Sequence, residues 1–181
     1  MTKHLIHLIS FTLIFSFISC DEASDLADVT FSTELSKTLP VAVINTEENS
    51  YTVLLDATSD SEIDTYADKI KSFEINKLYI AVENYNAPDD DEYYFNGTLG
   101  FSSKSGTAAA ATCNISPLNI THVENTGQFE INNCNDILGN VSSMLLDENA
   151  AKIYLDGSFT KAPFQFDLVV TVELSVTANP L

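Results

Sequence analysis

Tryptophan and arginine are missing from the 181 residues, and histidine (3), cysteine (3) and glycine (6) are sparse. Each shortage closes off a class of function. Without arginine, the 8 cations are all lysine and face 26 carboxylates, for a formal charge of −18. Such a balance repels a phosphate backbone, so no nucleic-acid partner is expected. His4 and His7 fall in the first few residues, which leaves His122 for the rest of the chain. With one imidazole and no Cys-x-x-Cys there is no donor set for zinc, and no cofactor is expected. A Ser-His-Asp arrangement would have to use His122. That residue alternates with apolar neighbours in Leu118-Asn119-Ile120-Thr121-His122-Val123, a pattern that predicts the outer face of a strand. No Gly-x-Ser-x-Gly elbow accompanies it. The glycines at 97, 100, 106, 127, 139 and 157 never cluster, so a phosphate-cradling loop is absent as well. Carboxylate chemistry survives this pruning, but among 26 acids no pair stands out, and the chain is not expected to be an enzyme.

What is present is enough to build a core. Apolar residues make up 45% of the chain, with 11 Phe and 7 Tyr among them, which excludes a disordered polymer. The N-terminus is patterned differently. Lys3 precedes an apolar stretch from Leu5 to Ile18, too short to span a bilayer comfortably and of the form of a secretory signal. An ordinary secretory signal cut elsewhere is one reading of it. Its ending, Phe17-Ile18-Ser19-Cys20, resembles the lipobox of bacterial lipoproteins, with Phe17 where leucine is usual. The resemblance implies that the Cys20 thiol carries a diacylglyceryl group, that the peptide is cut just before it, and that the new amino terminus is acylated. Membrane attachment would then come from several acyl chains, which hold far more firmly than one. The acidic stretch from Asp21 to Asp28 has no apolar periodicity and reads as a flexible stalk. An acidic run behind the lipid cysteine resembles the surface-export signals of Bacteroidota lipoproteins, whereas Asp directly after the cysteine resembles an enterobacterial inner-membrane retention mark. The arginine-free composition is similar to that of small Bacteroidota lipoproteins. The expectation is therefore an outer-membrane lipoprotein of a Gram-negative bacterium, on its periplasmic or surface face.

The remainder reads as strands with two short helices. Val29 to Leu35 alternates, Val41 to Ile44 is a short apolar run after Pro40, and Tyr51 to Leu55 follows a turn. Ser59 to Glu62 offers a helix cap, with Ile63, Tyr66, Ala67 and Ile70 on one face. Phe73 to Val82 is one long strand with a bulge expected at Asn76-Lys77. Tyr93, Phe95, Gly97, Leu99 and Phe101 alternate with polar positions, and a strand around Ala108 to Ile115 carries Cys113. Leu118 to Val123 and Gln128 to Ile131 flank Glu124-Asn125-Thr126-Gly127, a hairpin signal. Ile137, Leu138, Val141, Met144 and Leu145 have helical spacing, and Phe164 to Ala178 is a long final strand. About nine strands at short intervals predict an all-β fold, a β-sandwich of Ig-like or related Greek-key arrangement, with a small barrel as the alternative. The domain plan is signal peptide 1–19, lipidated acidic tether 20–28 and one sandwich domain 29–181.

Three features remain as candidate sites. Cys113 and Cys134 form an even pair in an exported chain and read as a disulfide, with two buried free thiols as the alternative. Asp89, Asp90, Asp91 and Glu92 cluster oxygen ligands that suit calcium, though without EF-hand spacing. Tyr85, Tyr93 and Tyr94 read as exposed and would offer a stacking platform for sugars. The functional expectation is a lipid-anchored, non-enzymatic interaction or accessory module of the cell envelope, with another envelope protein as its candidate partner. A surface module binding glycans or calcium is the alternative.

Overall fold

A strand buries every second side chain, and in this chain that rule sets most of the architecture. The structure, a computed structural model, describes residues 28–179, so Cys20, the signal peptide and all of the tether but Asp28 lie outside the described residues. Nine strands are present among them: β1 (Val29–Val43), β2 (Asn49–Asp56), β3 (Ile70–Asn86), β4 (Tyr94–Ser103), β5 (Ala111–Asn114), β6 (Leu118–Asn119), β7 (Phe129–Glu130), β8 (Ala150–Phe159) and β9 (Phe164–Ala178). All pairings are antiparallel. One sheet has the order β1-β9-β3-β7; the other has β2-β8-β4-β5, with β6 also on the edge of β4.

The pairs are nested. β1 joins β9, β2 joins β8, β3 joins β7 and β4 joins β5, with successive pairs falling in alternate sheets. This is a long antiparallel ribbon rolled on itself, the jelly-roll form of the Greek-key sandwich. Of the arrangements left open by the sequence, the related Greek key is thus the one adopted. Between the sheets lies a core fed by the inward series of β9, in which Phe164, Phe166, Leu168, Val170, Val172, Leu174, Val176 and Ala178 are all buried. The outer face of the same sheet pairs short polar side chains directly across β1 and β9, as in Ser36–Thr171 at 2.8 Å and Thr30–Thr177 at 3.2 Å.

β1 is one strand, where the sequence suggested two runs broken near Pro40. Proline lacks a donor, but β1 is a sheet edge and Pro40 can face outward without breaking the ladder to β9. The bulge expected at Asn76-Lys77 is present as a register shift between Ile75 and Lys77. Three α-helices form where two were expected: α1 (Ser61–Tyr66), α2 (Ile120–Thr126) and α3 (Leu138–Glu148). Asp60 caps α1 through the backbone N–H groups of Glu62 and Ile63, both at 2.9 Å, and these bonds hold its carboxyl below the usual range. α2 replaces the predicted hairpin. Asn119 accepts from the His122 N–H at 2.9 Å as an N-cap, Ile120 and Val123 turn inward one helical turn apart, and Gly127 stops the helix at φ 76°. The Gly that signals a tight turn signals a helix end equally well. α3 packs against β3 of one sheet and β8 and β4 of the other, burying Val141 and Leu145. None of the described helices is long and apolar enough to cross a membrane.

Gly97 and Gly157 face each other across β4 and β8, and the Phe95 ring lies over both. A Cβ on Gly97 would collide with the Asp156 carbonyl oxygen and come within 2.8 Å of the Gly157 Cα. We therefore expect Gly97→Ala to destabilise the fold by about 2 kcal/mol, since neither neighbour is a flexible tip that can yield. Chemical denaturation of the two proteins would read the difference; equal stability would show that the strands can part.

Candidate functional site

The acidic turn between β3 and β4 sends its carboxylates in different directions. Asp89 accepts from the Tyr93 hydroxyl at 3.0 Å and from the Asp91 N–H at 3.1 Å. Asp91 is paired with Lys161. Glu92 accepts from the Tyr94 hydroxyl at 2.6 Å on one oxygen and from the Asn119 side-chain amide at 3.2 Å on the other. The four acids proposed as calcium ligands therefore do not converge. Among the described residues, no three His, Cys, Asp or Glu side chains are gathered to hold a metal ion.

The tyrosine platform is dismantled in the same way. Tyr93 is 2% exposed, with its ring centroid 4.6 Å from that of Phe164 and 6.1 Å from that of Tyr85, and with the Lys161 ammonium 5.4 Å from its centre. It belongs to the inward series of Phe95, Leu99 and Phe101, which the alternation already implied. Burial, and after it the hydrogen bond to Asp89, pushes its phenol up to about 12. The hydrogen bond to Glu92 is the main cause of the raised Tyr94 value, as the bond to Asp91 is for Lys161. The turn is thus a self-paired scaffold resting on a cluster of rings.

A concavity lies beside it. A cleft of about 350 Å³ is lined by Ile80, Ile115, Leu118, His122, Phe129 and Asn133, among others. That volume is at the small end of what holds a ligand. Phe129 stands 46% exposed on its rim. His122 is exposed on α2 and not on a strand, contrary to the sequence reading, because Asn119 caps a helix there. Its backbone N–H is the group held by Asn119, at 2.9 Å.

The disulfide joins the two segments that supply Ile115 and Asn133 to the cleft. Cys113 and Cys134 are bonded, with Cα atoms 5.1 Å apart, linking β5 to the turn after β7. The Asn133 side-chain amide donates to the Asn114 carbonyl alongside. Asn119 then ties cleft to acidic turn, since its carbonyl oxygen caps α2 while its amide holds Glu92. Neither the cleft nor this linkage had a signal in the sequence beyond the even cysteine pair.

No protein-family model and no curated protein matches the chain. Among solved structures, that of Desmodium yellow mottle tymovirus matches at 15% identity over 100% of this chain and 97% of that chain, with a TM-score of 0.34. Cocksfoot mottle virus matches at 9% identity over 84% and 85% of the two chains, with a TM-score of 0.43. The decameric BFDV capsid protein matches at 8% identity over 82% and 99%, with a TM-score of 0.39. Likenesses at this level carry no functional argument, and the sandwich assignment rests on its own strand pairing.

Two outcomes follow from these contacts. Replacing Cys113 and Cys134 by serine should cost about 3 kcal/mol in the chain-entropy account of a loop this long, measured by denaturant unfolding against the oxidised protein. Tyr93 has its native phenol raised above the ordinary 10.0, so its contribution is complete below pH 10.0 and is lost as pH rises toward about 12. Tyr93→Phe should lower stability at neutral pH and flatten the alkaline decline between those values. An alkaline profile identical to that of the parent protein would exclude Tyr93 as its source.

Proposed function

We propose that the protein is a lipid-anchored module of the bacterial cell envelope, holding a non-enzymatic binding domain away from the membrane on the acidic tether. The observation that carries this reading is the placement of β1. It begins at Val29, directly after the tether, and its 15 residues run to Val43, where it pairs with Phe164 at the opposite end of β9. At about 3.3 Å per residue, that strand sets base and tip roughly 45–50 Å apart. The loops at the far end, 44–48, 87–93 and 160–163, would then be the parts presented to the surroundings. Asp28 pairs with Lys71 at 2.8 Å, which fixes the point where the tether meets the domain.

The lipobox-like Phe17-Ile18-Ser19-Cys20 supplies the anchor in this proposal, and the charge of −18 keeps the body in water and off anionic headgroups. An outer-membrane location follows the resemblance to Bacteroidota lipoproteins. A glycan- or calcium-binding role draws little from the geometry, because Tyr93 is buried and Asp89, Asp91 and Glu92 are each engaged with a different partner.

Intact-mass analysis of protein extracted from membranes tests the anchor. The expected product starts at Cys20 and carries two or three acyl groups, and Cys20→Ser should move the protein into the aqueous phase of a detergent partition. A parent protein that starts elsewhere, or partitions into water, would overturn the proposal.

A further inference from the structure

Near the tip, the pairing of β3 with β9 is interrupted by a bulge. The register breaks between Glu83 and Asn86, and Asn84 takes the left-handed conformation at φ 50° while its side-chain amide donates to Asp167 at 2.7 Å. Two adjoining hollows of about 240 and 390 Å³ open along this break, and they share Ala42 and Gln165. Together they form a trough along the outer face of β1 and β9, from Pro40 to the β3–β4 and β8–β9 turns. Its apolar surface comes from Pro40, Ala42, Ile44, Pro88 and Pro163. Ile44 is 78% exposed, the most open of the large apolar side chains among the described residues. An aliphatic side chain so placed costs solvation free energy unless something covers it.

The charge around the trough is of one sign. Glu47 and Glu48 follow Ile44 in the β1–β2 turn, and Asp89 and Asp90 follow Pro88. The nearby cation, Lys161, is committed to Asp91. No lysine lines either hollow. A second copy of this chain would bring the same negative field and be repelled. We infer that the trough is a docking surface for an extended, basic segment of another protein, an apolar side chain of which covers Ile44 while flanking lysines or arginines meet Glu47, Glu48 and Asp90. The inference deepens the binding-module reading and rests on it, but its chemistry does not depend on the lipid.

The test uses the full-length protein and, as probe, a short synthetic peptide in which lysine and leucine alternate, followed by calorimetry. Ile44→Asn should weaken binding roughly tenfold, as loss of a central apolar anchor does. Glu47→Gln, Glu48→Gln and Asp90→Asn combined should weaken it and reduce its salt dependence. Leu146→Asn, at a residue 41% exposed on α3, should bind as the parent does, and melting temperatures should agree across the set. The inference is overturned if Ile44→Asn binds like the parent, or if Leu146→Asn weakens binding as much. Concentration-dependent dimers abolished by Ile44→Asn would overturn it too, by giving the trough to a second copy. Failure here with acylated Cys20 intact would reject the trough and leave the anchored module standing.

Discussion

Strand β9 is the member on which the sandwich depends. It is hydrogen-bonded to β1 on one side and β3 on the other along nearly its whole length, and every inward side chain from Phe164 to Ala178 is buried. Backbone groups with no partner in water must pair, and a strand bonded on both edges satisfies all of them at once. Because β9 is last in the chain and β1 first, their pairing closes the ribbon. The other pairs nest inside it. Register here is strongly set, since a slip of one residue would turn Phe166, Leu168 and Val170 toward water.

The aromatic end of β9 links core to tip. Phe164 touches Tyr93, Tyr85, Phe159 and Phe166, with the Phe164 and Phe166 rings stacked at 5.7 Å. Tyr93 passes that order upward through its hydroxyl to Asp89. An acidic loop that self-repulsion would otherwise spread is thus braced from below by buried rings and from the side by Lys161. That bracing engages Asp89, Asp91 and Glu92, and the apolar trough beside them keeps Ile44 exposed.

Much of this was legible from residue order. The long strands from Phe73 to Val82 and from Phe164 to Ala178 declared themselves by alternation, the bulge at Asn76-Lys77 by its two polar residues, and the cysteine pair by its parity. The errors have physical causes. Leu118, Ile120 and Val123 satisfy strand and helix periods almost equally over so short a stretch, and only the Asn119 cap tips the balance. Tyr93 reads as exposed within a polar turn, yet its parity with Phe95 and Leu99 assigns it to the core, where it lies. Pro40 reads as a break until β1 is known to be an edge.

What the amino-acid order determined by itself is local or compositional: a mostly β body, an acidic composition, and the side of each long strand that faces inward. These follow from periodicity and charge, which act over a few neighbouring residues. Only the tertiary structure decided which strands are neighbours, that the acids near residue 90 are spent on separate partners, and that a trough opens beside Ile44. Those are contacts between distant segments, as between Thr30 and Thr177, 147 positions apart. No local pattern encodes them, because each depends on how the rolled ribbon brings its two ends together.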